Sequence, residues 1–249
     1  MNGDQTALLA AIVAVAFLVE AAAGFGSMVV ALTVGALFFP MPSLLGWLVP
    51  VNLVLSGYLV ARGRAHLDWK FLLSAVVPLM TAGLLVGIAL SRALSDAEWF
   101  KRVFAIFVIV VALHQLLRRA ALEPLARPIA AGALFAAGVI HGVFATGGPL
   151  AVFVASRALP DKAAFRATLA AVWVVLNVLL LPRLWLDGSL SAASLPVSAL
   201  MLAPLVLGIV AGEWVHHRLD EARFRKVVAA LLMVAGATLL FSSLRRPAA

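Results

Sequence analysis

Stretches of about 20 residues with almost no charge recur along the whole chain, and they limit its possible folds more than any other feature. A helix of that length spans about 30 Å of hydrocarbon, where every backbone amide must be satisfied within its own segment. The stretches fall at residues 7–39, 43–61, 70–91, 100–117, 129–158, 164–182, 193–213 and 225–244. None shows the alternating polarity of an outer-membrane barrel strand, so the expected class is an all-α polytopic membrane protein. Composition agrees, with 64% of residues hydrophobic and 12% charged, more apolar surface than a water-soluble core hides.

The net charge is +8, but Lys and Arg sit in short clusters between the apolar stretches. That is a topology signal, so the expected surroundings are a lipid bilayer and no nucleic-acid partner is expected. The chain has no cysteine, which excludes disulfides, thiolate chemistry and cysteine-ligated metals. The N-terminal Met-Asn-Gly-Asp-Gln-Thr lacks the positive region of a secretory signal, and the apolar stretch behind it is too long for one. The first segment is therefore expected to be retained.

Two stretches, the first and the fifth, are too long for one upright crossing and too short for two. Each is interrupted near its middle, by Ala23-Gly24-Phe25-Gly26-Ser27 and by Ala145-Thr146-Gly147-Gly148-Pro149. Glycine loosens a helix and proline removes a backbone donor, so a break is expected at both places. The halves of the chain also match. One constant shift carries Asn52 onto Asn177, Gly83 onto Gly208, Gly87 onto Gly212 and Leu94 onto Leu219. A slightly shorter shift carries Glu20 onto His141, Gly26 onto Gly147 and Ser27 onto Gly148. The expected organisation is an internal duplication, with a first transmembrane repeat at 1–122 and a second at 123–249, together one integral membrane domain.

If each broken stretch is a hairpin that enters and leaves on one side, one face of the membrane carries about 13 Lys and Arg and the other about 6. If each is a single crossing, the counts become nearly equal. The positive-inside rule therefore favours the hairpins, and each repeat becomes a re-entrant broken-helix hairpin plus three transmembrane helices. Three crossings per repeat make the two repeats inverted. Both termini are then expected in the periplasm, with the loops around Arg64, Arg119, Lys162 and Arg223 in the cytoplasm.

Irregular backbone at membrane depth is tolerated only where protein or a water-filled cavity covers it. The second half of each hairpin begins at the break, so the amides of Gly26, Ser27 and Met28, and of Gly147 and Gly148, are candidates to bind an anion. Thr146 is a candidate N-cap and Pro149 suits the first helical turn. Packing between helices is the alternative use of these glycines. Glu20 and His141 lie well inside their apolar stretches and are candidates for proton coupling, or else for buried polar support. Asn52 and Asn177, deep in matching segments, can donate to an anion or to a re-entrant loop. Trp69, Trp99, Trp185 and Trp214 flank segment ends as interfacial aromatics do, and Arg157 and Arg183 read as interfacial charges. His114, His216 and His217 lack the partners a metal site needs, so neither a metal nor another cofactor is expected.

The duplicated arrangement, with Gly24-Phe25-Gly26-Ser27 in the first half and Gly142-Val143-Phe144-Ala145-Thr146-Gly147-Gly148-Pro149 opening the second, resembles the sulfite exporter TauE/SafE family, also called the toluene sulfonate uptake permeases. The resemblance covers nearly the whole chain. The chain departs from the pattern at Ser27 and Met28, where further glycines are common in the family. The resemblance implies a transporter in the bacterial inner membrane for a small sulfur-containing anion such as sulfite, a sulfonate, sulfoacetate or thiosulfate. Two other readings share the architecture, an anion channel or passive facilitator and a carboxylate transporter. An enzyme is not expected, because the chain has no His-Glu-x-x-His, no Gly-x-Ser-x-Gly and no paired acidic motif. The direction of transport and the oligomeric state are left open by the sequence.

Overall fold

The first helix starts where the sequence supplies a reciprocal cap. The Gln5 amide donates to the Asn2 side chain at 2.8 Å and the Asn2 amide donates to the Gln5 side chain at 3.2 Å, satisfying two of the donors a helix start leaves free. That helix is α1 (Gly3–Ala23). In the computed structural model it is followed by α2 (Ser27–Gly35), α3 (Met41–Gly63), a 3-10 turn (Arg64–His66), the single turn α4 (Trp69–Phe71), a π-helical turn (Leu72–Val76) and α5 (Val77–Ala93). Then come α6 (Ala97–Leu117), α7 (Arg127–Phe144), α8 (Gly148–Ala158), α9 (Lys162–Leu186), α10 (Leu195–Leu200), α11 (Leu202–Arg218) and α12 (Glu221–Arg245). The structure describes residues 2–93, 97–117, 125–159, 161–218 and 221–245, and among these there is no strand. Leu94, Arg119 and Leu219 lie outside the described residues, as do the side chains of His114, His216, His217 and Arg223.

Among the described residues, six stretches are long and apolar enough to cross a membrane: Gly3–Ala23, Met41–His66, Trp69–Ser91, Arg127–Phe144, Lys162–Leu186 and Leu195–Val215. The chain is a multi-pass membrane protein. Shorter apolar stretches, Arg102–Leu113 and Leu232–Phe241, lie within α6 and α12. Three segments differ from their sequence outline. The helix after the first break stops at Gly35 and not at residue 39, because the amides of Phe38 and Phe39 turn back onto the Gly35 carbonyl ahead of Pro40. The stretch at 70–91 contains the π-helical turn, and the one at 193–213 is divided into α10 and α11.

Helix pairs form across the two halves: α1 packs on α11, α5 on α7, α3 on α9 and α6 on α12. The matched glycines explain how two of these pairs come so close. A Cβ added at Gly83 or Gly87 of α5 would run into backbone of α7, and one added at Gly138 or Gly142 of α7 would run into backbone of α5. On α11, a Cβ at Gly208 would meet the Ala14 carbonyl at 2.8 Å, and one at Gly212 the Ala21 Cβ at 2.5 Å. With no hydrophobic drive between helices in lipid, such small-residue contacts supply the packing. The same reasoning lets Leu85, Val86, Leu207 and Val210 stay exposed on the outer helices, while Phe17, Leu48, Leu55, Leu84 and Leu176 fill the interior. Trp69, Trp99, Trp185 and Trp214 are all exposed, as interfacial aromatics are.

The pair α3 and α9 lies near the middle of the molecule and carries Asn52 and Asn177. Pro50 within α3 cannot donate to the Gly46 carbonyl one turn back. The Ser198 hydroxyl of α10 lies 3.5 Å from that carbonyl and donates to the Trp47 carbonyl at 2.9 Å. At the start of α9, the Asp161 side chain accepts from the Ala164 amide at 2.7 Å.

Candidate functional site

At the first break, α1 ends on Gly24, whose φ of 82° is left-handed and whose amide donates to the Glu20 carbonyl at 2.7 Å. Gly26, at φ 107°, precedes α2 without a side-chain cap. Glycine is favoured at Gly24 on a second count, since a Cβ there would come within 3.1 Å of the Arg166 backbone. The polar side chains around this helix start are already engaged by Glu20. Its buried carboxylate accepts from the Ser27 hydroxyl, from Asn52 Nδ2 at 2.9 and 3.1 Å, and from Ser56 Oγ at 3.4 Å. Ser56 lies one turn beyond Asn52 on the same face of α3. Asn52 Nδ2 also lies 2.9 Å from Ser27 Oγ. The first break is thus closed by the chain's own carboxyl group.

At the second break, α7 ends on Ala145, the only non-glycine at positive φ among the described residues, at 54°. Its amide donates to the His141 carbonyl at 2.7 Å, as that of Gly24 does to Glu20. Gly147 is the N-cap of α8, and Pro149 sits in the first turn. Thr146, expected from the sequence as the cap, does not serve as one. The Gly147 carbonyl takes that place by accepting from the Ala151 amide at 3.3 Å, and no side chain caps the helix. The Thr146 hydroxyl is instead buried with no hydrogen-bond partner, and so are both ring nitrogens of His141 and the Oδ1 of Asn177. Leaving such a group unpaired costs about 1–3 kcal/mol, so each needs an explanation.

The two breaks meet in the middle of the protein. Asn177 Nδ2 donates to Asn52 Oδ1 at 2.6 Å, so the matched amides touch each other and link the Glu20 cluster to the second break. Between the breaks lies a cavity of about 20 Å³, room for about one water. Glu20, Gly26, Met28 and Asn52 line one side of it, His141, Thr146 and Gly148 the other. Ser27 reaches this cluster through its bonds to Glu20 and Asn52, and Asn177 through Asn52. Gly147 has a different place. A Cβ there would strike the Ala137 carbonyl, so this glycine permits the close approach of the break to α7, and a bulky residue at 147 would not spare the fold. At Gly148 a Cβ would find only Trp173, at 3.8 Å.

Sequence reasoning missed Ser56, Val29 and Trp173. Ser56 had one signal, its spacing of one turn from Asn52. Trp173 had none, being an aromatic in the middle of an apolar segment. Arg166, packed against Gly24, pairs with Glu213 at 2.7 Å and ties α9 to α11 beside the first break. Arg157 folds back onto the Phe153 ring and carbonyl, while Arg183 donates to the Gly142 carbonyl at 2.5 Å and pairs with Asp187. No three His, Asp or Glu side chains converge as a metal site would need, among the described residues.

The model of the Sulfite exporter TauE/SafE family matches residues 8–239. Among curated proteins, the chain is similar to a protein of Comamonas testosteroni described as "Probable inner membrane transporter protein TsaS", with 26% identity over 196 residues, 77% of this chain and 78% of that one. No solved structure matches the chain.

Proposed function

The chain belongs to the Sulfite exporter TauE/SafE family, a family of membrane transporters, and from that premise we propose that it is a secondary transporter for a small sulfur-containing oxyanion of the sulfite, sulfonate, sulfoacetate or thiosulfate class. The observation that carries this reading is the set of unpaired buried polar atoms at the second break, on His141, Thr146 and Asn177, beside the N-terminus of α8. A helix start favours negative charge, and the Thr146 hydroxyl and the His141 ring add donor capacity that has no partner in the protein itself. In the proposed site, Thr146 and the amides of Gly147 and Gly148 hold the oxyanion beside His141, and Asn177 acts through its bond to Asn52 on the opposite wall. Gly26, Ser27, Met28 and Asn52 form the opposite wall and keep Glu20 in place. An oxyanion is larger than the cavity, so loading requires the two breaks to move apart, the step that alternating access supplies.

The architecture proposed for that step is a pair of inverted repeats, each a re-entrant hairpin plus three crossings, placed in the cell inner membrane with both termini periplasmic. The exchange of partners between halves, α1 with α11 and α7 with α5, supports the repeat. Proton coupling is proposed through Glu20 and His141, which precede the two breaks in equivalent positions. A proton taken up with the anion reduces the charge moved across a potential worth about 2.3 kcal/mol per charge per 100 mV.

The test is uptake into liposomes containing the purified protein, with sulfite, sulfoacetate, thiosulfate, acetate and chloride, with and without a pH gradient. The reading predicts accumulation of a sulfur anion driven by the gradient and little movement of chloride. Equal movement of chloride and the sulfur anions would identify a channel, and uptake of acetate alone a carboxylate transporter.

A further inference from the structure

The largest side chain lining the cavity is one that the site described above does not use. Trp173 comes from α9, is 5% exposed, and touches both breaks. Its indole N–H donates to the Gly24 carbonyl at 3.3 Å, on the residue that ends α1. Its ring lies nearly parallel to the His141 imidazole, with 8° between the planes and 6.0 Å between centroids. Its outer edge faces Gly148, the first residue of α8, where an added Cβ would lie 3.8 Å from the ring. This tryptophan is tied at its nitrogen to one break and lies parallel to the His141 ring of the other.

We propose that Trp173 sets the size of the anion this transporter accepts. The proposal rests on the reading of the second break as the oxyanion site. If the charged oxygens lie at the start of α8, whatever substituent the sulfur carries extends into the remaining cavity. The polar wall there is held by the Glu20 cluster, and Gly26 and Gly148 have no side chain whose loss would add room. Trp173 is the wall whose removal adds the most room. With it in place the site suits an inorganic oxyanion or a sulfonate with a short substituent. An aromatic sulfonate would have to displace the ring, breaking its bond to Gly24 and its contact with His141 together.

The experiment compares wild type, Trp173→Phe and Trp173→Ala in liposomes, measuring uptake of sulfite, methanesulfonate and benzenesulfonate. The wild type is expected to favour sulfite and methanesulfonate. Trp173→Ala is expected to raise the ratio of benzenesulfonate to sulfite uptake by about tenfold or more, the discrimination a few apolar atoms of pocket wall provide, with Trp173→Phe between the two. A ratio unchanged in both variants, or all three anions slowed equally, overturns the role of Trp173 while leaving the transport reading intact. A wild type that moves none of the three overturns the transport reading and this proposal with it. Should Trp173→Ala fail to fold, Trp173→Phe and Trp173→Leu decide by the same ratio.

Discussion

The two breaks share a backbone plan and differ in what completes it. Each helix ends on a left-handed residue whose amide returns to the carbonyl four residues earlier, Gly24 to Glu20 and Ala145 to His141. Each then restarts on a glycine with no side-chain cap. At the first break the polar groups satisfy one another around a carboxylate, with Ser27, Asn52 and Ser56 all turned toward Glu20. At the second, His141, Thr146 and one atom of Asn177 have no partner. At the matched positions the two helix starts differ, with Glu20 against His141 and Ser27 against Gly148. The first is self-sufficient, and the second keeps unpaired polar atoms, where the proposal places the anion.

The sharpest way to break this comparison is at the glycines. Gly147→Ala places a methyl group against the Ala137 carbonyl, and because the obstacle is backbone, the cost should exceed the about 1–3 kcal/mol of ordinary overpacking. Little folded protein should survive size-exclusion chromatography in detergent, whereas Gly148→Ala should elute as wild type. Next in size is Glu20→Ala, which strands the Ser27 hydroxyl and the Asn52 amide inside the protein and should destabilise it by about 3 kcal/mol or more. Thermal unfolding in detergent measures the effect. Glu20→Gln keeps an acceptor and should fold, yet lose accumulation driven by a pH gradient. Accumulation at the wild-type level in that variant would remove Glu20 from proton coupling.

Matching deletions on the two sides sharpen the comparison further. Ser27→Ala removes bonds to Glu20 and Asn52 and should cost about 1–3 kcal/mol of stability. Thr146→Val removes a hydroxyl that bonds to nothing, so its unfolding temperature should match the wild type or rise. The smallest effect is expected at the left-handed residues. Ala145→Gly should stabilise by about 1 kcal/mol by relieving the backbone, while Gly24→Ala should do the reverse and also press on Arg166.

Much of this could be read from the sequence because duplication repeats a signal. Gly-rich interruptions in two apolar stretches located both breaks, and the shift that aligned them also paired Glu20 with His141. Asn52 and Asn177 were found in the same way, and the structure brings them into direct contact. A repeat reveals what two halves share and hides where they differ. That Glu20 closes its own helix start depends in part on Ser56, which has no match in the second half, where Leu181 stands at the equivalent position. Trp173 was hidden because an aromatic residue in an apolar segment is the least informative residue there. Thr146 was assigned a cap from its position alone, but the choice between Thr146 and Gly147 depends on the turn of the backbone at Ala145. The glycines Gly83, Gly87, Gly208 and Gly212 identified the duplication, yet their physical role, the close contact of helices, needed the packing to be seen.

The account stands or falls on which break holds the anion. The direct measurement is the dissociation constant of sulfite for the purified protein, obtained by calorimetry on wild type, Ser27→Ala and Thr146→Val at one pH and ionic strength. Loss of a hydrogen bond to a charged ligand corresponds to about tenfold or more in affinity, so Thr146→Val should weaken binding by at least that factor, while Ser27→Ala should stay within about threefold of wild type despite its lower stability. The reverse pattern, with affinity lost in Ser27→Ala and kept in Thr146→Val, would place the anion at the first break and contradict the account.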